Sequence, residues 1–256
     1  MVVRKEKWDA GTPCWVDIMA GDLARSQAFY ASVLGWGYTE SQPEYGGYCN
    51  ATVKGEVVAG LSPTMPGMEE SPHVWTTYLA TDDAEATKAA VLAAGGQVMV
   101  EPMAVGPFGT MAIYIDPTGA AFGTWQSGEN TGFDLANEPG GVFWNDAMVS
   151  DFEAGKGFYA KVFGYQYTDM SSEDTKYAAI TLDGQRPVGG IGVASGGAPP
   201  HWSVTFSVAD ADEAIAKVTA GGGGVVTPAF DIEWGRVAFV TGPDGETFGV
   251  VGPKKE

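Results

Sequence analysis

The chain is poor in the residues that most often carry catalysis or hold metals. It has two histidines and two cysteines among 256 residues, and 14 Lys and Arg residues against 32 Asp and Glu residues. The formal net charge of −18 repels phosphate backbones and anionic membrane surfaces, so we expect neither nucleic acid nor membrane as a partner. Cys14 and Cys49 both fall in the first half, which indicates reduced thiols and favours a cytoplasmic protein.

Long apolar runs and the common catalytic signatures are also missing. No stretch approaches the ~20 apolar residues of a membrane-spanning helix. The first residues, Met1 to Asp9, lack the apolar segment of a secretion signal. There is no nucleophile elbow, Walker loop, dinucleotide-binding fingerprint or CxxC pair. An apolar content of 45% with a mean hydropathy near zero predicts a soluble globular fold.

What the chain does contain is an internal repeat. Each half carries a Trp-x-Asp-x-Met run, a helix-capping Asp, a Phe-Tyr pair and a Gly, and each ends on a Pro-x-Gly-x-x-Phe-Gly pattern. The matching pairs include Trp15 and Trp144, Asp17 and Asp146, Met19 and Met148, Asp22 and Asp151, and Gly35 and Gly164. The repeat predicts two domains, residues 11–126 and 140–252, after an N-terminal tail of residues 1–10 and on either side of a linker, residues 127–139.

Hydrophobic periodicity predicts the same order of elements in each half. Alternation in the first strand, residues 14–19, puts Trp15, Asp17 and Met19 on one face. Asp22 then caps a helix that ends at Gly35, and further strands follow. The first strand of the next unit begins near Val74 and leads into a second helix, residues 84–94. The sequence therefore predicts an α+β fold of four strand–helix–strand–strand–strand units, two in each half.

This pattern resembles the vicinal oxygen chelate family, which includes glyoxalase I, bleomycin-resistance proteins and extradiol dioxygenases. The segments that carry the resemblance are Asp22–Gly35, Asp151–Gly164, Asp82–Glu85 and Asp116–Gly119. The chain looks most like the tandem-domain actinobacterial members, often labelled hydroxylases or glyoxalase-like. The resemblance implies tandem glyoxalase-like domains, in which paired units curl into two cup-shaped curved sheets that hold the ligand.

The resemblance also implies where metal ligands would stand, and this chain departs from that pattern. Trp15 and Trp144 stand where a first His is expected, Thr76 and Ser203 where a second His is expected, and Gly123 and Gly249 where a Glu is expected. The remaining position falls in residues 57–61 and 188–191, which contain no carboxylate, amide or imidazole. We therefore expect no metal site and no other cofactor.

The two histidines leave two interpretations open. His73 and His201 stand just before Trp75 and Trp202, at equivalent strand entries. They could be general bases, or metal ligands from a shifted register. They could instead be loop-edge residues after Pro72 and Pro200, which is the interpretation we favour, and because they lie in different cups they could not share one metal ion.

Asp17 and Asp146 are the candidate catalytic residues. Alternation places each carboxylate on the face that carries the tryptophan at the former ligand position. A carboxyl group partly buried among Trp and Met has a raised pKa and can act as a general acid or base. The alternative is that each carboxylate only accepts hydrogen bonds from the backbone or from Trp N–H groups.

Aromatic and methionine side chains are the candidate ligand-binding residues. Flat rings and adaptable thioethers suit a large planar or aliphatic molecule. The alternative is ordinary core packing, in which case the cups are filled by their own side chains. The predicted set is Trp15, Met19, Tyr48, Trp75, Phe108, Trp125, Trp144, Met148, Trp202 and Trp234.

Four functions remain open from the sequence. The leading hypothesis is metal-independent binding of a hydrophobic or aromatic natural product, such as an antibiotic, in resistance or biosynthesis. The second is a cofactor-free enzyme of secondary metabolism, such as a cyclase, isomerase or lyase, that uses Asp17 or Asp146. A metal-dependent glyoxalase or dioxygenase and a protein-binding scaffold with filled cups are the others. Two pseudo-symmetric domains in one chain favour a monomer.

Overall fold

The computed structural model describes residues 3–255. In the first half the strands are β1 (Pro13–Ala20), β2 (Gly37–Tyr38), β3 (Cys49–Val53), β4 (Glu56–Pro63), β5 (Trp75–Ala80), β6 (Gln97–Val105), β7 (Gly109–Ile115) and β8 (Ala121–Ser127). The helices there are α1 (Leu23–Leu34) and α2 (Ala84–Ala93). No helix within residues 3–255 is long and apolar enough to cross a membrane.

The second half repeats this order element by element. Its strands are β9 (Val142–Val149), β10 (Gln166–Asp169), β11 (Tyr177–Thr181), β12 (Pro187–Val193), β13 (His201–Ser207), β14 (Gly224–Ile232), β15 (Gly235–Thr241) and β16 (Thr247–Gly252). Its helices are α3 (Phe152–Phe163) and α4 (Ala211–Ala220).

Each half forms one eight-stranded mixed sheet. The strand order is β2-β3-β4-β1-β5-β8-β7-β6 in the first sheet and β10-β11-β12-β9-β13-β16-β15-β14 in the second. Within each sheet the two units meet at an antiparallel pair of first strands, β1 with β5 and β9 with β13. The predicted α+β fold of four βαβββ units in two tandem halves is confirmed. The exact domain and linker boundaries stay a prediction.

Local sequence sets the helix ends in both halves. Asp22 and Asp151 lie at the N-caps of α1 and α3, where each carboxylate accepts a backbone N–H from the first turn. Gly35 and Gly164 end the same helices at φ values of 73° and 72°, a left-handed conformation that favours glycine. The caps fix where each helix leaves its sheet.

The α-helices pack on one face of each sheet. On the packed face the two halves share their cores: Phe29 and Tyr30 of α1 lie in one cluster with Phe206 and Phe248 of the second sheet. Phe158 of α3 lies in a second cluster with residues of the first sheet. The other face, which carries Asp17 in the first sheet and Asp146 in the second, is the cup face.

Buried hydrogen bonds join the halves at equivalent places. The Tyr30 hydroxyl donates to Glu246 Oε1 at 2.6 Å and accepts from Trp75 Nε1 at 3.1 Å. In the other direction, the Tyr159 hydroxyl donates to Asp116 Oδ2 at 2.9 Å. Because a buried polar group without a partner is costly, the bonds to Glu246 and Asp116 each tie a helix of one half to a turn region of the other.

Candidate functional site

A cluster of three side chains lies on the cup face of the first sheet. Trp15 and Asp17 are alternate residues of β1, so they point to the same side. The hydroxyl of Tyr48 donates to Asp17 Oδ2 at 3.2 Å and accepts a hydrogen bond from Trp15 Nε1 at 2.9 Å. We call this Asp–Tyr–Trp arrangement the first carboxylate cluster.

The second half builds the same cluster from equivalent residues. The Tyr177 hydroxyl donates to Asp146 Oδ1 at 2.8 Å. Trp144 Nε1 lies 3.0 Å from both Asp146 Oδ1 and the Tyr177 hydroxyl oxygen. Trp144, Asp146 and Tyr177 form the second carboxylate cluster.

Two glycines make room for these clusters. Gly60 pairs with Asp17 across β4 and β1, and a Cβ atom at Gly60 would lie 1.7 Å from the Tyr48 hydroxyl oxygen. At Gly190, the partner of Asp146, a Cβ atom would lie 2.1 Å from both the Tyr177 hydroxyl oxygen and Asp146 Oδ1. The missing side chains therefore let each tyrosine reach its aspartate.

Both aspartates hold protons more tightly than an exposed carboxyl group does. Burial raises the pKa of Asp17 to about 7, against the opposing effect of hydrogen bonds from Tyr48 and Tyr78. Burial likewise raises the pKa of Asp146 to about 6, opposed by hydrogen bonds from Tyr177 and Trp144. Near neutral pH the Asp17 carboxyl group is thus divided between acid and base forms.

The positions at which the family resemblance implies metal ligands carry other residues. Of the positions expected to hold ligands, Thr76 pairs with Asp17 in the first cup and Ser203 pairs with Asp146 in the second. A side chain at Gly123 would place its Cβ 2.2 Å from the Tyr78 ring. Across residues 3–255 no three His, Cys, Asp or Glu residues are grouped in a way that could hold a metal ion.

Two of the predicted ligand-binding residues are buried away from the cups. Trp75 packs against Tyr30, Trp36 and Phe206 on the helix side of the first sheet. Trp202 donates its indole N–H to Tyr159 on the helix side of the second sheet, at 2.7 Å. Strand alternation explains the correction: both residues are one position out of phase with the cup face, so they belong to the core shared by the halves.

The other predicted aromatic and methionine residues lie on or beside the cup faces. Trp125 of β8 pairs with Ala80 and Met111, and its indole N–H donates to the Asn130 carbonyl oxygen at 2.8 Å. Met19 and Met148 are half-buried at the ends of β1 and β9. Phe108 and Trp234 stand in equivalent hairpins, each directly before the first glycine of the next strand.

The two histidines contact the backbone. His73 Nδ1 lies 2.9 Å from the Met19 carbonyl oxygen, and His201 Nδ1 lies 2.8 Å from the Pro199 carbonyl oxygen. Both geometries fit the interpretation of loop-edge histidines that hold strand entries.

Sequence reasoning missed Tyr78, Tyr177, Gly60 and Gly190. A signal for Tyr177 was present in the repeat, because the spacing in sequence between Tyr48 and Tyr177 equals that between Asp17 and Asp146. The glycines gave no such signal, since their role depends on a close approach of a side chain from the neighbouring strand.

Comparison with known proteins agrees with this architecture. The model of the Glyoxalase/Bleomycin resistance protein/Dioxygenase superfamily matches residues 14–123 and again residues 141–250. The chain belongs to this superfamily.

Two relatives match nearly the whole chain. It is 37% identical to "Putative glyoxylase CFP32" of Mycobacterium tuberculosis over 255 residues, which covers 98% of each chain. It is 35% identical to the "Anthracycline biosynthesis protein DnrV" of Streptomyces peucetius, covering 94% of this chain and 93% of the relative.

Solved structures share the fold at low sequence identity. The Mn(II)-bound glyoxalase of Novosphingobium aromaticivorans superposes with a TM-score of 0.66 at 18% identity, covering 96% of this chain and 83% of that one. The 2,3-dioxygenase LapB of Pseudomonas sp. KL28 gives a TM-score of 0.65 at 12% identity, covering 98% and 94%.

Proposed function

We propose that the protein binds a hydrophobic or aromatic small molecule in its cups without the help of a metal ion. The observation that carries this proposal is the carboxylate cluster, which occupies the cup face of each sheet with an aspartate, a tyrosine and a tryptophan. Apolar walls with a few convergent polar groups are typical of small-molecule sites. The aspartate and tyrosine would orient the ligand, and the indole would contact its flat face.

The ligand class follows from the cup-face residues and from the relatives. Similarity over most of the chain to anthracycline biosynthesis proteins favours an aromatic natural product and a role in antibiotic biosynthesis or resistance. We further propose that the protein is cytoplasmic and monomeric. The monomer is supported by the two complete eight-stranded sheets within one chain. Light scattering of the purified protein tests the monomer.

Fluorescence titration with and without chelator tests the binding proposal. Planar aromatic compounds of two to four fused rings are added to the protein, once after dialysis against EDTA and once with added manganese, zinc, nickel or iron. We expect saturable quenching of tryptophan emission that is the same in every case. Tight stoichiometric metal uptake on which binding depends would contradict metal independence, and absence of quenching by every compound would contradict binding.

A second candidate function is proton transfer within the bound ligand. The observation that favours it is the raised pKa of Asp17, about 7, which leaves both the acid and the base form populated at neutral pH. Asp17 in its acid form would protonate a carbonyl oxygen, and the resulting carboxylate would remove a proton from the adjacent carbon. This isomerisation moves one proton onto oxygen and one off carbon, and it changes no oxidation state.

Two amide variants test this candidate. Asp17→Asn and Asp146→Asn keep the shape of the carboxyl group but cannot transfer a proton. If the function is enzymatic, conversion of a bound aromatic ketone at saturating concentration falls by a factor on the order of 10² or more in one variant, which exceeds any loss of affinity. Equal rates in both variants and in the unchanged protein would exclude the enzymatic function and leave only the binding function.

A further inference from the structure

Two aromatic side chains bridge the first cup. Tyr45, in the connection between β2 and β3, packs on Phe108 of the β6–β7 hairpin with ring centroids 5.4 Å apart. These segments adjoin opposite edges of the sheet, so the contact bridges the cup. A Cβ atom at Gly106 would lie 2.2 Å from the Tyr45 hydroxyl oxygen, which shows how closely the bridge fits.

The second cup lacks this bridge. The residue equivalent to Tyr45, three positions before the cluster tyrosine, is the exposed Asp174. Trp234, the equivalent of Phe108, is 60% exposed, and Phe230 in the same hairpin is 42% exposed. Within the described residues neither ring contacts another aromatic ring. A large exposed indole beside a concave face indicates a surface that a ligand could cover.

The floors of the cups also differ. Tyr78 faces Trp15 across β5 and β1 and acts on Asp17 as a second tyrosine hydrogen-bond donor. Its equivalent, which faces Trp144, is Thr205. In the described residues Thr205 makes no such contribution to Asp146, whose Oδ1 accepts hydrogen bonds from Tyr177 and Trp144. The first cup therefore holds its carboxyl group with two tyrosines and the second cup with one.

Access to the two tryptophans differs in the same direction. Trp15 is only 5% exposed. Trp144 is half-buried, so the indole of the second carboxylate cluster is more accessible than that of the first.

We infer that the second cup is the binding site, and that it takes a planar aromatic molecule carrying an amine or hydroxyl group that donates to Asp146 while Trp234 covers the ring. This inference rests on the proposed function and assigns it to one cup. The half-buried carboxylate of Asp146 selects a hydrogen-bond donor, and the net charge of −18 disfavours anions. The exposed indole supplies a flat face for stacking.

Binding of two tricyclic probes tests the assignment. 9-Aminoacridine is a planar aromatic cation, and anthraquinone-2-sulfonate is a planar anion of similar size. By calorimetry we expect one 9-aminoacridine site per chain and binding of the sulfonate at least about tenfold weaker. Trp234→Ala and Asp146→Asn should each weaken 9-aminoacridine binding by about tenfold, the effect of losing one aromatic or charge-assisted contact.

Met99→Ala is the matched control, because Met99 is 62% exposed on β6 of the other half, and it should leave the affinity unchanged. Melting temperatures of all variants verify that they are folded. Larger losses in Phe108→Ala and Asp17→Asn than in Trp234→Ala and Asp146→Asn would place the ligand in the first cup, which overturns the inference and leaves the proposed function standing. Two equal sites per chain would also overturn it. Failure of both probes to bind the unchanged protein would contradict the inference together with the proposed function.

Discussion

The carboxyl group of Asp17 couples protein stability to pH. Its pKa rises from 3.8 in an exposed chain to about 7 in the folded protein, chiefly because burial disfavours the charged form. Since the folded state binds the proton more tightly, the protonated Asp17 makes its full contribution to the free energy of unfolding below about pH 4. It is lost progressively as the pH rises and is gone above about pH 7.

Asp17→Asn removes this titration. At pH 8 we expect the variant to be more stable than the unchanged protein by about 2 kcal/mol, roughly half of what three pKa units would give because the carboxyl group is partly exposed. Below pH 4 the difference should vanish. Urea unfolding across this range measures it, and Asp146→Asn should show a smaller gain that is complete near pH 6. A gain in stability that grew towards acid pH would contradict a raised pKa of Asp17 in the folded protein.

Gly60 offers a second prediction at the same scale. Gly60→Ala puts a methyl group into the Tyr48 hydroxyl, so the tyrosine must leave Asp17. We expect a loss of about 2 kcal/mol, as for other overpacked buried sites. Gly157→Ala is the control: nothing lies within 4 Å of its Cβ position in α3, and alanine should stabilise that helix by up to about 1 kcal/mol. Equal effects of the two substitutions would refute the close approach at Gly60.

Part of the candidate site follows from sequence alone. Alternation within β1 and β9 was enough to place each aspartate beside its tryptophan, because the pattern of a strand has a period of two. In β5 and β13 the same period places Trp75 and Trp202 on the helix side, because they pair with Ile18 and Ala147 rather than with the aspartates. Partners such as Tyr78 depend on strand register, which a single sequence does not reveal.

At the scale of elements, the helices are held by hydroxyl groups that reach into the other half. Tyr30→Phe removes the donor to Glu246, a residue only 1% exposed, and the acceptor of the Trp75 indole. Leaving both buried groups unpaired should lower the free energy of unfolding by about 2–3 kcal/mol. Thermal and urea denaturation measure the change.

The control for Tyr30→Phe is Tyr38→Phe. The Tyr38 hydroxyl donates to the Gln27 carbonyl oxygen at 2.9 Å, within one half and partly buried. We expect that variant to lose about 1 kcal/mol or less. Similar losses in both variants would show that the hydrogen bond between the halves stabilises the protein no more than a hydrogen bond within one half.

The elements themselves were largely predictable. The helix α1 begins after Asp22 and ends before Gly35, as its cap and glycine indicate, and α2 ends one residue before its predicted end at residue 94. The edge strands β2 and β10 escaped individual prediction because they are short and barely patterned. Local signals were strong here because caps act within a single turn.

At the scale of the whole molecule, the shared cores predict one cooperative unit. Residues of both halves occur together in each of the two core clusters, so separating the halves would expose apolar surface on both. We expect a single calorimetric transition in which the calorimetric and van't Hoff enthalpies agree. Two resolved transitions, or one half retaining structure after the other has unfolded, would contradict this.

The crosswise packing has a consequence for how such a chain can change. A substitution on the helix side of one sheet meets residues of the other half, so it needs a matching partner there. The hydrogen bonds of each carboxylate cluster, by contrast, stay within one half. A duplicated chain of this kind can therefore rebuild one cup while its twin supports the fold, and a protein engineer can treat the first cup as scaffold and the second as a replaceable receptor.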